Sequence, residues 1–399
     1  MTRVAVTGLG AISAIGLNGA EFWRALCEGR SGIRPLDIAL HAPLRFSKGA
    51  QAVEFRPEAH FEPRQIDLMD RFAQFALVAA REAVADARVE WTPALRESTA
   101  VVTGSCVGGQ SAEDQGFADL YKSGRAGVHP LSIPRIMANA GASHISMELG
   151  LTGIVYAVST ACASAAHAIG QAFWLVRSGQ AAMAIAGGSE APFSYGHLKA
   201  WEAMRVVSHD TCRPFSRDRS GMILGEGAAM LVLEPLDAAL ARGARVYAEI
   251  AGFGSSSDAA HITQPSAEGP ARAMRAALAD AHADANEVSY INAHGTGTQA
   301  NDSIEATAIR AVFGERAIPV SSTKSMHGHA LGASAAMEAV ATVLALREGV
   351  LPPTANFTAA DPQCDLDVVA NQARQAQVET AISNSFAFGG LNAVLLFRR

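Results

Sequence analysis

The sequence predicts an α/β protein with largely buried sheets and a duplicated plan, and three observations carry that prediction. Short β-branched runs alternate with alanine-rich stretches along the whole chain, the pattern of strands interleaved with helices. The 399 residues are 49% apolar but only 6% aromatic and include 36 glycines, which suits helices packed closely on covered sheets. The two halves also resemble each other. Strand Ala100–Thr103 runs into Gly104-Ser105-Cys106-Val107-Gly108-Gly109-Gln110, as strand Tyr290–Asn292 runs into Ala293-His294-Gly295-Thr296-Gly297-Thr298-Gln299. Later in each half a small-residue loop enters an alanine-rich helix: Ser159-Thr160-Ala161-Cys162 in the first, Ser322-Thr323-Lys324-Ser325 through His329 in the second. Such a repeat would bring equivalent strand ends to one site.

Val4–Thr7 is the first predicted strand. Gly8-Leu9-Gly10 after it reads as a tight strand-to-helix turn, because a dinucleotide fingerprint would need a third glycine at the position of Ser13. After Ala100–Thr103, the chain from Leu149 to Val176 carries no Asp, Glu, Lys or Arg and is long enough to cross a bilayer. Gly150, Gly153, Ser159, Thr160, His167 and Gln171 interrupt it, so it reads instead as strand Val155–Ser159 turning into a buried helix. Ala182–Ala186 and Ala229–Leu233 are further apolar strands. Leu236-Asp-Ala-Ala-Leu-Ala-Arg-Gly243 ends a helix on glycine and marks a seam, dividing the chain into residues 1–242 and 243–399. Val246–Ala251, Val288–Asn292, Val320–Ser322 and Ala393–Phe397 are the strands beyond it, with Asn384 to Asn392 a glycine loop before the last.

Composition excludes several classes. Half apolar content with 18% charged residues excludes a disordered chain. A net charge of -6, from 32 basic and 38 acidic residues, gives no general attraction to nucleic acid or anionic membrane. The five cysteines form no CxxC pair and no zinc-spaced cluster, as expected of reduced thiols in the cytoplasm, and no signal peptide is evident.

The chemistry-bearing residues fall in loops. Cys162 lies where a strand ends and a helix begins, among alanines that leave room for a carbonyl; a helix N-terminus there would favour the thiolate. His294 sits at a strand end beside Gly295 and Gly297, with the hydroxyls of Thr296 and Thr298 following. Lys324 and His329 share one loop; a zinc site through His327 and His329 lacks adjacent ligands. Gly389 and Gly390 close a loop suited to presenting backbone N–H groups.

Together these five motifs, in this order, resemble the β-ketoacyl-acyl carrier protein synthases. The likeness runs from Val6-Thr7-Gly8-Leu9-Gly10 to Asn384-Ser385-Phe386-Ala387-Phe388-Gly389-Gly390-Leu391-Asn392. Among the elongating type it is most similar to the nodulation protein E subgroup, through Leu198 to Arg205, Asp210 to Ser216 and Pro352 to Asn356. The resemblance implies a thiolase-like duplicated fold, layered α-β-α-β-α with two mixed sheets of the five-stranded type. It implies a decarboxylative Claisen condensation in which Cys162 takes an acyl group, while the N–H groups of Cys162 and Phe388 hold the oxyanion. His294 and His329 would polarise the malonyl thioester carbonyl, Lys324 would add positive field, and Lys324 with Glu338 would hold the His329 loop. Thr296 and Thr298 would bind the phosphopantetheine arm, Phe386, Gly389 and Gly390 would border the substrate, and Val107 beside Cys106 would end the acyl pocket.

No cofactor or metal is expected to be bound permanently, since substrates would ride on the 4′-phosphopantetheine of an acyl carrier protein. That carrier would dock on Arg64, Arg125 and Arg205, although Asp67 and Leu68 stand where the resemblance leads one to expect basic residues. His327, Ala387 and Leu391 are further departures; an alanine at 387 would stiffen the loop bearing Phe388. The chain is expected to form a homodimer, or a heterodimer with a chain-length-factor-like subunit. A thiolase would carry a second cysteine in the 385–392 loop, and a non-catalytic chain-length factor would lack Cys162.

Overall fold

The computed structural model describes residues 2–38, 42–124 and 126–399. Its main sheet contains ten long-range strands: β1 (Val4–Ser13), β2 (Thr99–Gly104), β3 (Val155–Val158), β4 (Met183–Glu190), β5 (Gly227–Pro235), β6 (Ala248–Ser257), β7 (Tyr290–Asn292), β8 (Pro319–Ser321), β9 (Thr380–Ala387) and β10 (Leu391–Arg398). Their spatial order is β3-β2-β4-β5-β1 in the first half and β8-β7-β9-β10-β6 in the second. Pairing sense repeats too: β1 with β5 and β6 with β10 are antiparallel, whereas β2 with β3 and β4 matches β7 with β8 and β9 in being parallel. The duplication inferred from the sequence is therefore a repeated five-strand topology. The two fives are continuous, because Val4, Ala5 and Val6 of β1 pair with Ile250, Glu249 and Ala248 of β6; with the short edge strand Asp367–Val368 beside β8, the sheet counts eleven strands.

Three apolar clusters fill the layers. Helices α2 (Ser164–Arg177) and α6 (Ser334–Glu348) lie between the two halves of the sheet and contact strands of both. Outside the first half lies α1 (Arg71–Ala87); outside the second lie α4 (Glu268–Asp280) and α5 (Gln299–Phe313). The strands alternate between these clusters as a pleat requires: Ala100 and Val102 face α2, and Val101 faces α1. Alanine dominates the central helices because the layers there leave little room; thirteen successive residues of α6, from Ser334 to Leu346, are buried.

Two local expectations are corrected. Gly8 and Gly10 do not form a turn, because β1 continues to Ser13; a Cβ on either would lie 2.0 Å from a carbonyl oxygen of α1, so these glycines serve close strand-to-helix contact. Asn384 to Ala387 belong to β9, and Phe388, Gly389 and Gly390 alone make the hairpin loop to β10, with both glycines at positive φ. The uncharged stretch from Leu149 becomes β3 and α2. Among the described residues no helix is long and apolar enough to cross a membrane.

Candidate active site

Equivalent loops of the two halves meet at the C-terminal ends of β3, β7 and β8. From the first half comes Cys162, in the turn between β3 and α2. Ala161 before it is held at φ +48°, a left-handed conformation that costs an alanine roughly 1–2 kcal/mol, and this turn aims the thiol inward. The backbone N–H groups of Cys162 and Phe388 lie on the sulfur's side and favour its thiolate. Beneath the adjoining loop lies the buried carboxylate of Glu190, which accepts from Ser105 Oγ (2.9 Å) and from the backbone N–H groups of Cys106 (2.6 Å), Val107 (3.3 Å) and Gly332 (3.0 Å). Glu190 thereby ties the proposed acyl-pocket loop to the loop that follows His329.

The second half supplies both histidines. The backbone N–H groups of His294 and Gly295 each donate to Glu305, at 2.8 Å, and Asn384 Nδ2 donates to the same carboxylate at 3.1 Å. The Lys324 ammonium is wholly buried and meets three acceptors: the His294 carbonyl oxygen at 2.7 Å, His294 Nδ1 at 3.3 Å and Glu338 Oε1. All three ammonium donors are thus satisfied. Since Nδ1 of His294 accepts from Lys324, the neutral ring carries its proton on Nε2. His329 is set by Ser334, whose Oγ lies 2.9 Å from Nδ1, and by its own N–H donating to Ile223 at 2.7 Å. The two imidazoles stand edge to face, with centroids 5.4 Å apart. Cys162 Sγ and one nitrogen of each ring lie within 4.8 Å of one another.

Burial governs the electrostatics. It pushes the Cys162 thiol up to about 11, against the pull of the Lys324 charge and the two N–H groups, so the helix N-terminus does not suffice to hold a resting thiolate as the sequence suggested. Burial, then the Lys324 charge, hold His294 and His329 well below the ordinary histidine range, and both are neutral. Glu338 rises to about 7 by burial despite its ammonium partner, and Glu305 and Glu190 rise to about 7 for the same reason.

A cleft of about 760 Å³ reaches this group from the surface. Cys162, His294, His329, Thr296, Thr298, Phe386, Phe388, Gly389 and Gly390 line it, and Thr296 and Thr298 share a hydroxyl contact at 3.0 Å. Cys106 and Val107 lie outside the cleft; Cys106 packs with Phe388 in an apolar cluster beyond the thiol. Lys324 grips His294 from within the His329 loop, so it bridges the two histidines rather than holding His329 alone. His327 is buried, with Nε2 3.0 Å from Thr323 Oγ1, and faces away from the cleft. Arg64 and Arg205 are exposed, Asp67 pairs with His129 at 3.0 Å, and Arg125 lies outside the described residues.

Sequence reasoning missed Glu190, Glu305, Ser334 and the Asp258 to Pro265 segment that forms one cleft wall. A carboxylate closing the apolar run Met183 to Glu190 was the one available signal for Glu190, since a charge at that place must be paired.

Two family models cover the chain: Beta-ketoacyl synthase, N-terminal domain, over residues 1–239, and Beta-ketoacyl synthase, C-terminal domain, over residues 247–358. Nodulation protein E of Rhizobium sp. (strain N33) is 47% identical over 401 residues, covering 100% of this chain and 99% of that protein. The 3-oxoacyl-[acyl-carrier-protein] synthase 2 of Staphylococcus aureus (strain COL) is 40% identical over 406 residues, covering 100% and 98%. Among solved structures, the ishigamide ketosynthase/chain length factor superposes with a TM-score of 0.95 at 39% identity, covering 100% of this chain and 99% of that one. A fold repeated about one thiol and two imidazoles, matched in both halves and aligned over its full length, settles the kinship: the chain belongs to the β-ketoacyl synthase family.

Proposed function

We propose that the chain elongates an acyl group by decarboxylative condensation with a malonyl thioester, both delivered on an acyl carrier protein. The observation that carries this reading is a buried thiol within 4.8 Å of one nitrogen of each of two neutral imidazoles, all lining one cleft. In the first stage Cys162 Sγ bonds to the acyl carbon and the carbon–sulfur bond of the pantetheine thioester breaks. The thiol proton passes to His329 and on to the departing pantetheine sulfur. The tetrahedral oxyanion lies on the N–H groups of Cys162 and Phe388.

In the second stage the malonyl carbon–carbon bond breaks and CO2 leaves, with the electron pair moving onto the thioester oxygen. His294 Nε2–H donates to that oxygen; a neutral donor suffices because decarboxylation, not proton removal, makes the carbanion. The enolate carbon attacks the Cys162 thioester, the carbon–sulfur bond to Cys162 breaks and the 3-oxoacyl product is released, and the expelled thiolate takes a proton from solvent. Thr296 and Thr298 hold the pantetheine arm. A carrier docks by Arg64, Arg125 and Arg205, and because Asp67 and Leu68 interrupt that surface, it differs from the housekeeping carrier protein.

Incubation with acyl- and malonyl-carrier proteins should yield CO2, a 3-oxoacyl product and an acyl adduct on the Cys162 peptide. No adduct with any chain length would overturn the reading. Val107 closes the acyl pocket in this proposal, so Val107→Phe should shorten the products; an unchanged profile removes it from the wall. The partner is a second copy or a chain-length-factor-like subunit. A ketosynthase/chain length factor among the solved relatives favours the second, and the edge strand β3, paired on one side only, suits either.

A further inference from the structure

Helix α3 (Tyr195–Met204) approaches the far side of Phe388. Two of its residues, four apart and so on one face, are bonded to each other: Trp201 Nε1–H donates to His197 Nε2 at 2.8 Å. The rings meet edge to face, with centroids 6.0 Å apart. Trp201 is 8% exposed and its ring lies 6.3 Å from that of Phe388, tilted by 31°. Around the pair stand Leu198, Met222, Leu224 and Leu331, with Cys106 packed against them. His197 is half-buried, and burial holds it neutral against the opposing Asp114 charge, which keeps Nε2 free to accept. The helix is fixed at its start, since Ser194 Oγ accepts from His197 N–H at 3.4 Å and Asp114 accepts from Gly196 N–H at 3.1 Å.

We infer that Trp201, pinned by His197, is the wall against which Phe388 closes, and that the pair selects which acyl chains reach Cys162. The reasoning rests on the proposed condensation and deepens it. Phe388 and Cys162 line the same cleft, so an acyl chain attached to the sulfur must pass the Phe388 ring, and among the described residues that ring packs against an apolar cluster that contains Trp201 and that Cys106 also packs against. An indole free to turn would yield space; an indole bonded to a neighbour on a capped helix does not. His197 is thus a positioning residue and Trp201 a specificity-determining one.

The test measures Cys162 acylation by hexanoyl- and dodecanoyl-N-acetylcysteamine, using intact-protein mass spectrometry on the full chain with its natural partner. Trp201→Ala should raise the dodecanoyl-to-hexanoyl rate ratio by about tenfold or more, the scale at which pocket volume discriminates chains. His197→Leu, which frees the indole, should raise it by about fivefold, while His197→Gln, which keeps an acceptor, should stay near wild type. Ratios unchanged in both Trp201→Ala and His197→Leu overturn the inference, as does a His197→Gln shift equal to that of leucine. Trp201→Phe guards against misfolding of the alanine variant, since it retains bulk and should behave as His197→Leu. Wild-type protein that acylates with neither thioester would instead count against the condensation itself.

Discussion

The two halves contribute to one site by opposite physical means. The first aims its thiol with backbone: Ala161 sits at φ +48°, and the backbone N–H groups of Cys162 and Phe388 favour the thiolate. The second positions its imidazoles with buried charge, through Glu305 on the His294 turn and the Lys324–Glu338 pair behind it. A covalent nucleophile must approach a carbonyl within bonding distance, so a rigid turn flanked by small residues serves it. Donors to a developing enolate need a fixed protonation state, and buried charge sets that. The same repeated topology thus carries strain on one side and a charge network on the other.

The largest effect should come from Cys162→Ala, which removes the bond-forming atom and should lower acyl transfer by more than about a thousandfold. An adduct equal to that of wild type would end the nucleophile assignment. Lys324→Ala comes next, because it leaves Glu338 buried without its cation and should destabilise the fold by about 3–5 kcal/mol. It should also slow alkylation of Cys162. The thiol is raised to about 11 even with Lys324 present, so in wild type the iodoacetamide rate should climb with pH well beyond 9, the ordinary cysteine value. In Lys324→Ala it should be lower at every pH in that range, and a plateau near 9 in wild type would refute the burial argument.

Glu305→Gln and Glu190→Gln compare the halves directly. Each swaps two acceptor oxygens for one and faces an amide N–H2 against backbone N–H groups, at about 1–3 kcal/mol apiece. Glu305→Gln should slow condensation more than acyl transfer, because it disturbs His294. Glu190→Gln should alter the preferred chain length, because it disturbs Cys106 and Val107; identical effects of the two would erase the division. The smallest effect is expected of Ala161→Gly, which relieves positive φ and should stabilise by about 1 kcal/mol while loosening the turn. A thermal midpoint that rises together with slower acylation would show the strain to be functional.

Much of this was legible in the chain. Cys162, His294, Lys324 and His329 stand in loops between strand and helix signals, and local periodicity shows such junctions. The family likeness rested on the same short motifs. The glycines at 8 and 10 misled because a close strand-to-helix contact and a turn both demand glycine, and only the position of α1 distinguishes them. Asn384 to Ala387 misled because polar residues in a strand read locally as loop; inside, Glu305 accepts from Asn384 Nδ2 from far along the chain.

The sequence by itself determined the alternation of strands and helices, the repeat and the candidate reactive groups, since these follow from side-chain chemistry and short-range periodicity. Only the tertiary structure decided that Lys324 grips His294, that Glu190 joins the loop from Ser105 to Val107 to the loop beyond His329, and that Trp201 backs Phe388. Those pairings join residues distant along the chain, and the protonation states of the thiol and imidazoles depend on how much water each has lost. Distance and desolvation are properties of the packed molecule, which is why no reading of neighbours in sequence supplies them.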